Sequence, residues 1–292
     1  MIRAVLLSLS IALGALVCTS DGLRAQDVQA VSSPRLAAEA PELHAILDGL
    51  GMYEIIALMG TENTQGGIDI EAQLFPGAGG QAWQATVMRL HAGNRMAVLF
   101  EDTMSQDTLS PEQMQEIQAF IATEAAQRMI AGEIAARRLF LDPEAVATAT
   151  DVFFTAVQED DPRIDLLRRF NDVNGLVERN VIGALNLRVA FYRGLIDGGA
   201  FDNDVPEGMM LSEVWSHEAE VREMTIEWLY AYQLVAYADA SDDDLEAYMA
   251  LAASDAGRAL NSALFNAFDS MLTTLSYELG TSAAAFIAGE DT

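Results

Sequence analysis

Residues 110–129 read SPEQMQEIQAFIATEAAQRM, and residues 241–260 read SDDDLEAYMALAASDAGRAL. Each stretch opens on a serine able to cap a helix. Three residues later an amide or carboxylate completes a reciprocal capping box, Ser110 with Gln113 and Ser241 with Asp244. Shifted by 131 residues without a gap, Met114 falls on Leu245, Ile117 on Tyr248, Phe120 on Leu251 and Met129 on Leu260. These apolar positions recur three or four apart, the period of a helix with one buried face. Thr123 and Ser254 also coincide, breaking both stretches at the same place. The pattern predicts a capped helix of about 12 residues and then a longer helix, twice over: two related helical hairpins.

Working outward, further helix starts are legible. Asp142-Pro143-Glu144 and Asp161-Pro162-Arg163 each place an acceptor at the N-cap and proline at the first helical position. The acidic run Asp242-Asp243-Asp244 complements the positive end of a helix dipole, which explains the cluster without a metal. Between the hairpins, Leu166, Phe170, Val173, Val177, Val181, Leu185 and Val189 form one stripe and predict a long central helix over 163–194. Residues 226–238 are apolar on nearly all faces but too short to span a bilayer, so they are expected as a core helix. Residues 61–67 and 75–80 read as loops, and no run alternates with period two. The expected fold is all-α: an orthogonal helical bundle of about ten helices, with two repeat-like hairpins around a long central helix. The expected organisation is an N-terminal unit over 41–160 with a diverged repeat copy near 108–140, a central segment over 161–200, and a C-terminal unit over 201–290.

The first 25 residues have the three zones of a signal peptide: Arg3, an apolar run from Val5 to Val17, and a polar exit ending at Ala25. The apolar run is shorter than the roughly 20 residues a membrane span needs. The expectations are cleavage after Ala25, a flexible leader over 26–40, a periplasmic or secreted mature protein, and no stable span once the signal is removed. Cys18 is the only cysteine, and the branched Val17 before it argues against lipid attachment. A chain cleaved at Ala25 has no thiol, which excludes a disulfide, a thiolate nucleophile and a zinc–sulfur site.

The formal net charge is −28, and all 16 basic residues are arginine. Removing residues 1–25 takes away two arginines and one aspartate, making the rest slightly more acidic. Such a surface repels nucleic acid and anionic lipid headgroups, with no basic stripe to overcome it, and it favours solubility and the attraction of cationic ligands. No nucleic-acid partner is expected. Part of the acidity is dipole complementation at helix starts.

Ser241-Asp242-Asp243-Asp244-Leu245, followed by Ala253-Ser254-Asp255-Ala256-Gly257-Arg258-Ala259-Leu260-Asn261, resembles the core of domain of unknown function 2059. More widely, residues 41–280 resemble exported alphaproteobacterial proteins containing that domain, through Phe75-Pro76-Gly77 with Gly79-Gly80 and Trp83, through the run 178–186, and through Phe191-Tyr192-Arg193-Gly194-Leu195. The first hairpin departs from the pattern, since Thr123-Glu124-Ala125-Ala126 lacks the glycine. The resemblance implies an all-helical exported protein. It implies no activity.

Candidate chemistry is sparse. His44, His91 and His217 are isolated from one another and are assigned surface or capping roles, and His217-Glu218 lacks the second histidine of a zinc-protease helix. Gly77-Ala78-Gly79-Gly80 has no following Lys-Ser/Thr and is expected to be a turn. Asp202, Asp204 and Glu207 fail the order of an EF-hand loop. Glu220, Glu223 and Glu227 on one helix face fit a solvated acidic surface. No cofactor or metal is expected, and no catalytic residue is assigned. The polar set that needs an explanation on a buried helix is Asn174, Arg179, Asn180, Asn186 and Arg193, which must be satisfied internally or by a ligand. The expected function is a non-enzymatic binding or protein-interaction module acting on other envelope proteins; the alternative is an envelope enzyme using carboxylates or arginines of the central helices. A deep cavity lined by Arg179, Arg193 and buried carboxylates favours ligand binding or catalysis, and a filled core with a large exposed apolar groove favours a protein partner.

Overall fold

The computed structural model describes residues 34–201 and 206–289, and all regular elements there are helices, 14 in number. The proposed signal segment 1–25 and the leader as far as residue 33 lie outside the described residues. The chain runs through α1 (Leu36–Glu39), α2 (Pro41–Gly49), α3 (Met52–Leu74), α4 (Gly80–Leu90), α5 (Gly93–Glu101), α6 (Pro111–Ile121) and α7 (Glu124–Leu139). It continues through α8 (Pro143–Gln158), α9 (Pro162–Asn174), α10 (Leu176–Asp197), α11 (Glu207–Ser216), α12 (Glu218–Ala236), α13 (Asp242–Ala253) and α14 (Asp255–Ala288). The all-α class expected from the sequence is what the chain adopts.

Both hairpins form with the register of the sequence. Ser110 and Ser241 make complete capping boxes at the starts of α6 and α13. Thr123 and Ser254 then cap α7 and α14, accepting from the amides of Ala126 and Gly257. A Cβ on Gly257 would stand 2.0 Å from the carbonyl oxygen of Leu251, so the second hairpin turns too tightly for a side chain there. The first hairpin carries Ala126 at the same offset. Arg128 of α7 donates to both carboxylate oxygens of Asp244 in the other hairpin at 3.0 Å, tying the two together.

Three expectations are corrected. The flexible leader does not extend to residue 40: Leu36 is fully buried, and Glu101, also buried, accepts from its amide at 3.0 Å and from the Tyr53 hydroxyl at 2.7 Å. The polar stretch 61–67 is no loop but the middle of α3. A Cβ on Gly60 would be 2.6 Å from the His91 carbonyl oxygen, and one on Gly67 2.6 Å from Val87. These glycines let α4 and the turn after it sit against α3, and tertiary contact overrides their low helix propensity. Trp83 of α4 seals the contact. It is fully buried, donates to the Gly67 carbonyl at 2.9 Å, and meets Phe75 and Phe286 edge-on.

The third correction concerns the central helix. Gly175, at φ 63°, caps α9 in the left-handed region and splits the expected helix into α9 and α10. Val173 of the supposed stripe is 44% exposed as a result. The longest helix is α14, 34 residues and about 50 Å at 1.5 Å per residue. Its N-terminal half belongs to one apolar core with α2, α5 and α6, through Leu260, Met271 and Phe100. Its C-terminal end belongs to a second core with α4 and α10, through Leu279, Trp83 and Phe191. A third core joins α7, α8, α9, α12 and α13.

The helices α10 and α14 run in the same direction, since Asn186 meets Asp269 and Gly198 meets Ala284. Towards their C-terminal ends they touch backbone to backbone. A Cβ on Gly194 would lie 2.1 Å from the Tyr277 carbonyl oxygen, and one on Gly280 2.2 Å from that of Phe191.

Candidate ligand-binding cavity

A cavity of about 650 Å³ lies where the first two cores fail to meet, between α3, α10, α12 and α14. Its walls are mostly apolar: Met59 from α3, Leu187 from α10, Met224 and Trp228 from α12, and Phe268 and Leu272 from α14. The space exists partly because α10 carries glycine at its centre. Gly183 lines the cavity, as do Arg179, Asn180, Ala184 and Leu187 at helical spacings on either side. A Cβ there would meet nothing within 4 Å.

Two guanidinium–aromatic pairs stand in the lining. Arg137 lies over the Trp228 ring at 5.4 Å, and that ring stacks on Tyr232. Arg137 is also ion-paired to Glu62 of α3. Arg179 lies over Phe265 at 4.9 Å. Each contact places a cation on the electron-rich face of a ring. Between α10 and α14 the amide of Asn186 donates to Asp269 at 3.0 Å. Ile182, 51% exposed, marks the side where the lining reaches the surface.

His91 and Ser276 are the buried polar residues of the lining. The Ser276 hydroxyl donates to the Leu187 carbonyl at 2.7 Å, whereas His91 is a titratable ring. Its Nδ1 is 3.0 Å from the Val87 carbonyl oxygen, which can only accept, so the proton sits on Nδ1 and Nε2 keeps its lone pair. Burial pushes its pKa below the ordinary histidine value, against the opposing Val87 hydrogen bond, and favours the neutral ring. Of the surface or capping role expected for His91, the capping part holds, since it is the C-cap residue of α4, but its ring lies in the interior and not at the surface.

Of the five polar residues nominated from the sequence, the structure brings Arg179, Asn180 and Asn186 to the cavity. Asn180 is exposed and its amide donates to Leu176 of its own helix. Asn174 is buried elsewhere. It donates to Phe170 and accepts from Asn261, fixing α9 against α14. Arg193 is exposed and paired with Glu207 at 2.5 Å. Of the calcium-type loop, Asp202 and Asp204 lie outside the described residues. The glycine turn before α4 has its amides occupied, since Gly79 and Gly80 both donate to the Glu71 carboxylate. Among the described residues no three His, Cys, Asp or Glu side chains group as a metal site. No single described helix is long and apolar enough to cross a membrane.

The sequence reading missed Arg188. It is 1% exposed, and its Nε and Nη2 have no hydrogen-bond partner. The hydroxyl of Tyr192, one turn on, is likewise unpartnered. Burial lowers the Arg188 pKa from the ordinary arginine value, and the charge of Glu220 works against that shift. The signal was present: Val181, Leu185, Arg188, Tyr192 and Leu195 follow the buried period of α10. Compared with protein-family models, with curated proteins and with solved structures, the chain matches none.

Proposed function

We propose that this chain is a binding protein of the cell envelope that holds a small, largely apolar molecule between α3, α10, α12 and α14. The observation that carries this is the cavity of about 650 Å³, with apolar walls and a few convergent polar groups, the usual format of a small-molecule site. A recess of this size between four helices, open to solvent on the side of Ile182, favours a small ligand taken in over a protein partner docked on a flat surface. An envelope location is supported by the charged, apolar and small-residue zones of residues 1–25. The resemblance to domain of unknown function 2059 agrees with export and implies no reaction.

The test is titration of the purified protein with an apolar fluorescent probe such as N-phenyl-1-naphthylamine. Emission should rise and saturate. Gly183→Phe, which directs a side chain into the open space, should weaken binding by about tenfold or more, about 1.4 kcal/mol, while leaving the helical circular-dichroism spectrum unchanged. Absence of saturable binding to the unsubstituted protein would sink the proposal.

A further inference from the structure

Resting on the ligand-binding function above, we infer that the ligand is a single-chain amphiphile with a carboxylate head, its tail in the cavity and its head at Arg179. Arginine is scarce in this chain, with 16 basic residues against 44 acidic ones. Most described arginines are taken by a carboxylate within 4 Å. Among the described residues Arg89, Arg179 and Arg188 have no such partner, and Arg179 alone of the three lines the cavity. Arg89 closes the last turn of α4, where a cation complements the helix dipole.

Arg179 is held without an acid. Its guanidinium lies over Phe265 at 4.9 Å, a contact that uses the face of the group and leaves its N–H edge open to an acceptor. A planar fork of donors matches a carboxylate in two parallel hydrogen bonds. Asn266, the neighbour of Phe265, also lines the cavity, and its side-chain amide makes no hydrogen bond among the described residues. It offers further donors to the same head group.

The remaining lining selects against other heads. An aromatic cage for a cationic head is not on offer, since Phe265 and Trp228 are each covered by a guanidinium, and the lining carboxylates Glu62 and Asp269 are engaged by Arg137 and Asn186. The second cation, Arg137, is already neutralised by Glu62, which leaves Arg179 as the lining cation without a carboxylate. The lining also holds unbranched, adaptable Met59 and Met224, suited to a flexible chain. A volume of about 650 Å³ holds about twenty water-sized groups at roughly 30 Å³ each, the scale of one long acyl chain. The overall negative charge slows the approach of an anion, but that repulsion is screened beyond about 8 Å at physiological ionic strength.

The experiment is displacement of bound N-phenyl-1-naphthylamine by three chains of equal length, hexadecanoate, hexadecanol and hexadecyltrimethylammonium, each kept below its aggregation limit. Hexadecanoate should displace the probe about tenfold more tightly than hexadecanol, and the ammonium should be weakest. Arg179→Gln should weaken displacement by hexadecanoate about tenfold and so remove its preference over hexadecanol. Arg179 is exposed, and an unchanged helical circular-dichroism spectrum and urea midpoint check that the variant is folded. Equal displacement by acid and alcohol overturns the inference while the ligand-binding function stands, and so does a preference for the ammonium. Retention of the acid preference in Arg179→Gln moves the head group elsewhere and overturns it too. Failure of the probe to bind the unsubstituted protein removes the underlying function instead.

Discussion

The helices α10 and α14 meet in two different ways along one shared seam. Towards their C-terminal ends they are in backbone contact, with Gly194 and Gly280 each facing a carbonyl oxygen of the other helix. Nearer their N-terminal ends they are bridged by side chains, Asn186 to Asp269 and Arg179 to Phe265, beside a cavity onto which Gly183 opens. The same residue type therefore does opposite things on one helix. At 194 the missing side chain lets two backbones close, and at 183 it leaves room unfilled. A clamp at one end and a space at the other is an arrangement that can hold a ligand without the bundle collapsing onto it.

The largest effect is expected where the clamp is forced apart. Gly194→Ala or Gly280→Ala places a methyl about 2 Å from a backbone oxygen, and backbone cannot rotate aside as a side chain can. Overpacking of this kind costs about 3 kcal/mol. Urea denaturation of either variant should show that loss as a lower midpoint at constant slope. A loss under about 1 kcal/mol would mean that the helices slide apart freely and that no clamp exists.

A smaller effect of the opposite sign is expected between the two ends. Arg188 lies on α10 between Gly183 and Gly194, buried, without an ion pair within 4 Å among the described residues, and with two nitrogens unsatisfied. Taking a guanidinium out of water is costly unless a partner compensates, and apolar replacements of buried charges often stabilise. Arg188→Met should raise the unfolding free energy by about 1–3 kcal/mol in the same denaturation assay. A fall of that size would show instead that Glu220 closes onto Arg188 and that the pair fixes α10 against α12.

What could be read from the chain divides along the same lines. Capped helix starts are local, so Ser110, Asp142, Asp161 and Ser241 were legible and proved to be caps. The register of the two hairpins was legible because apolar spacing and caps agreed. Features set by a distant neighbour were not. The stretch 61–67 looked like a loop because the residue that its Gly67 accommodates, Val87, comes more than 15 residues later in the chain. Gly175 and Gly183 both fall inside the stretch 163–194 read as one helix, yet one adopts φ 63° and ends a helix while the other sits within one. Arg179, Asn180 and Asn186 were found together because they share one helix. Their aromatic and acidic neighbours on α14 could not be found, since nothing in α10 names the helix it will lie against. Arg188 was overlooked because charge suggested surface, although its place in the period of α10 said interior.

The smallest effect is the one that isolates the comparison. Gly183→Ala adds the same methyl as the clamp substitutions, on the same helix, but into open space. The helix then gains the difference in propensity between alanine and glycine, about 0.5–1 kcal/mol, and no neighbour has to move. Unfolding free energy should rise by that amount, and probe binding should change little because a methyl removes only a small part of about 650 Å³. Gly194→Ala and Gly183→Ala, measured side by side, should thus differ in sign. Because both change the unfolded chain in the same way, the unfolded state cancels between them. What remains is the difference between the two ends of the seam. A loss of stability at 183 would mean that α10 closes against another helix there in solution, and that the space beside Gly183 is not held open by the fold.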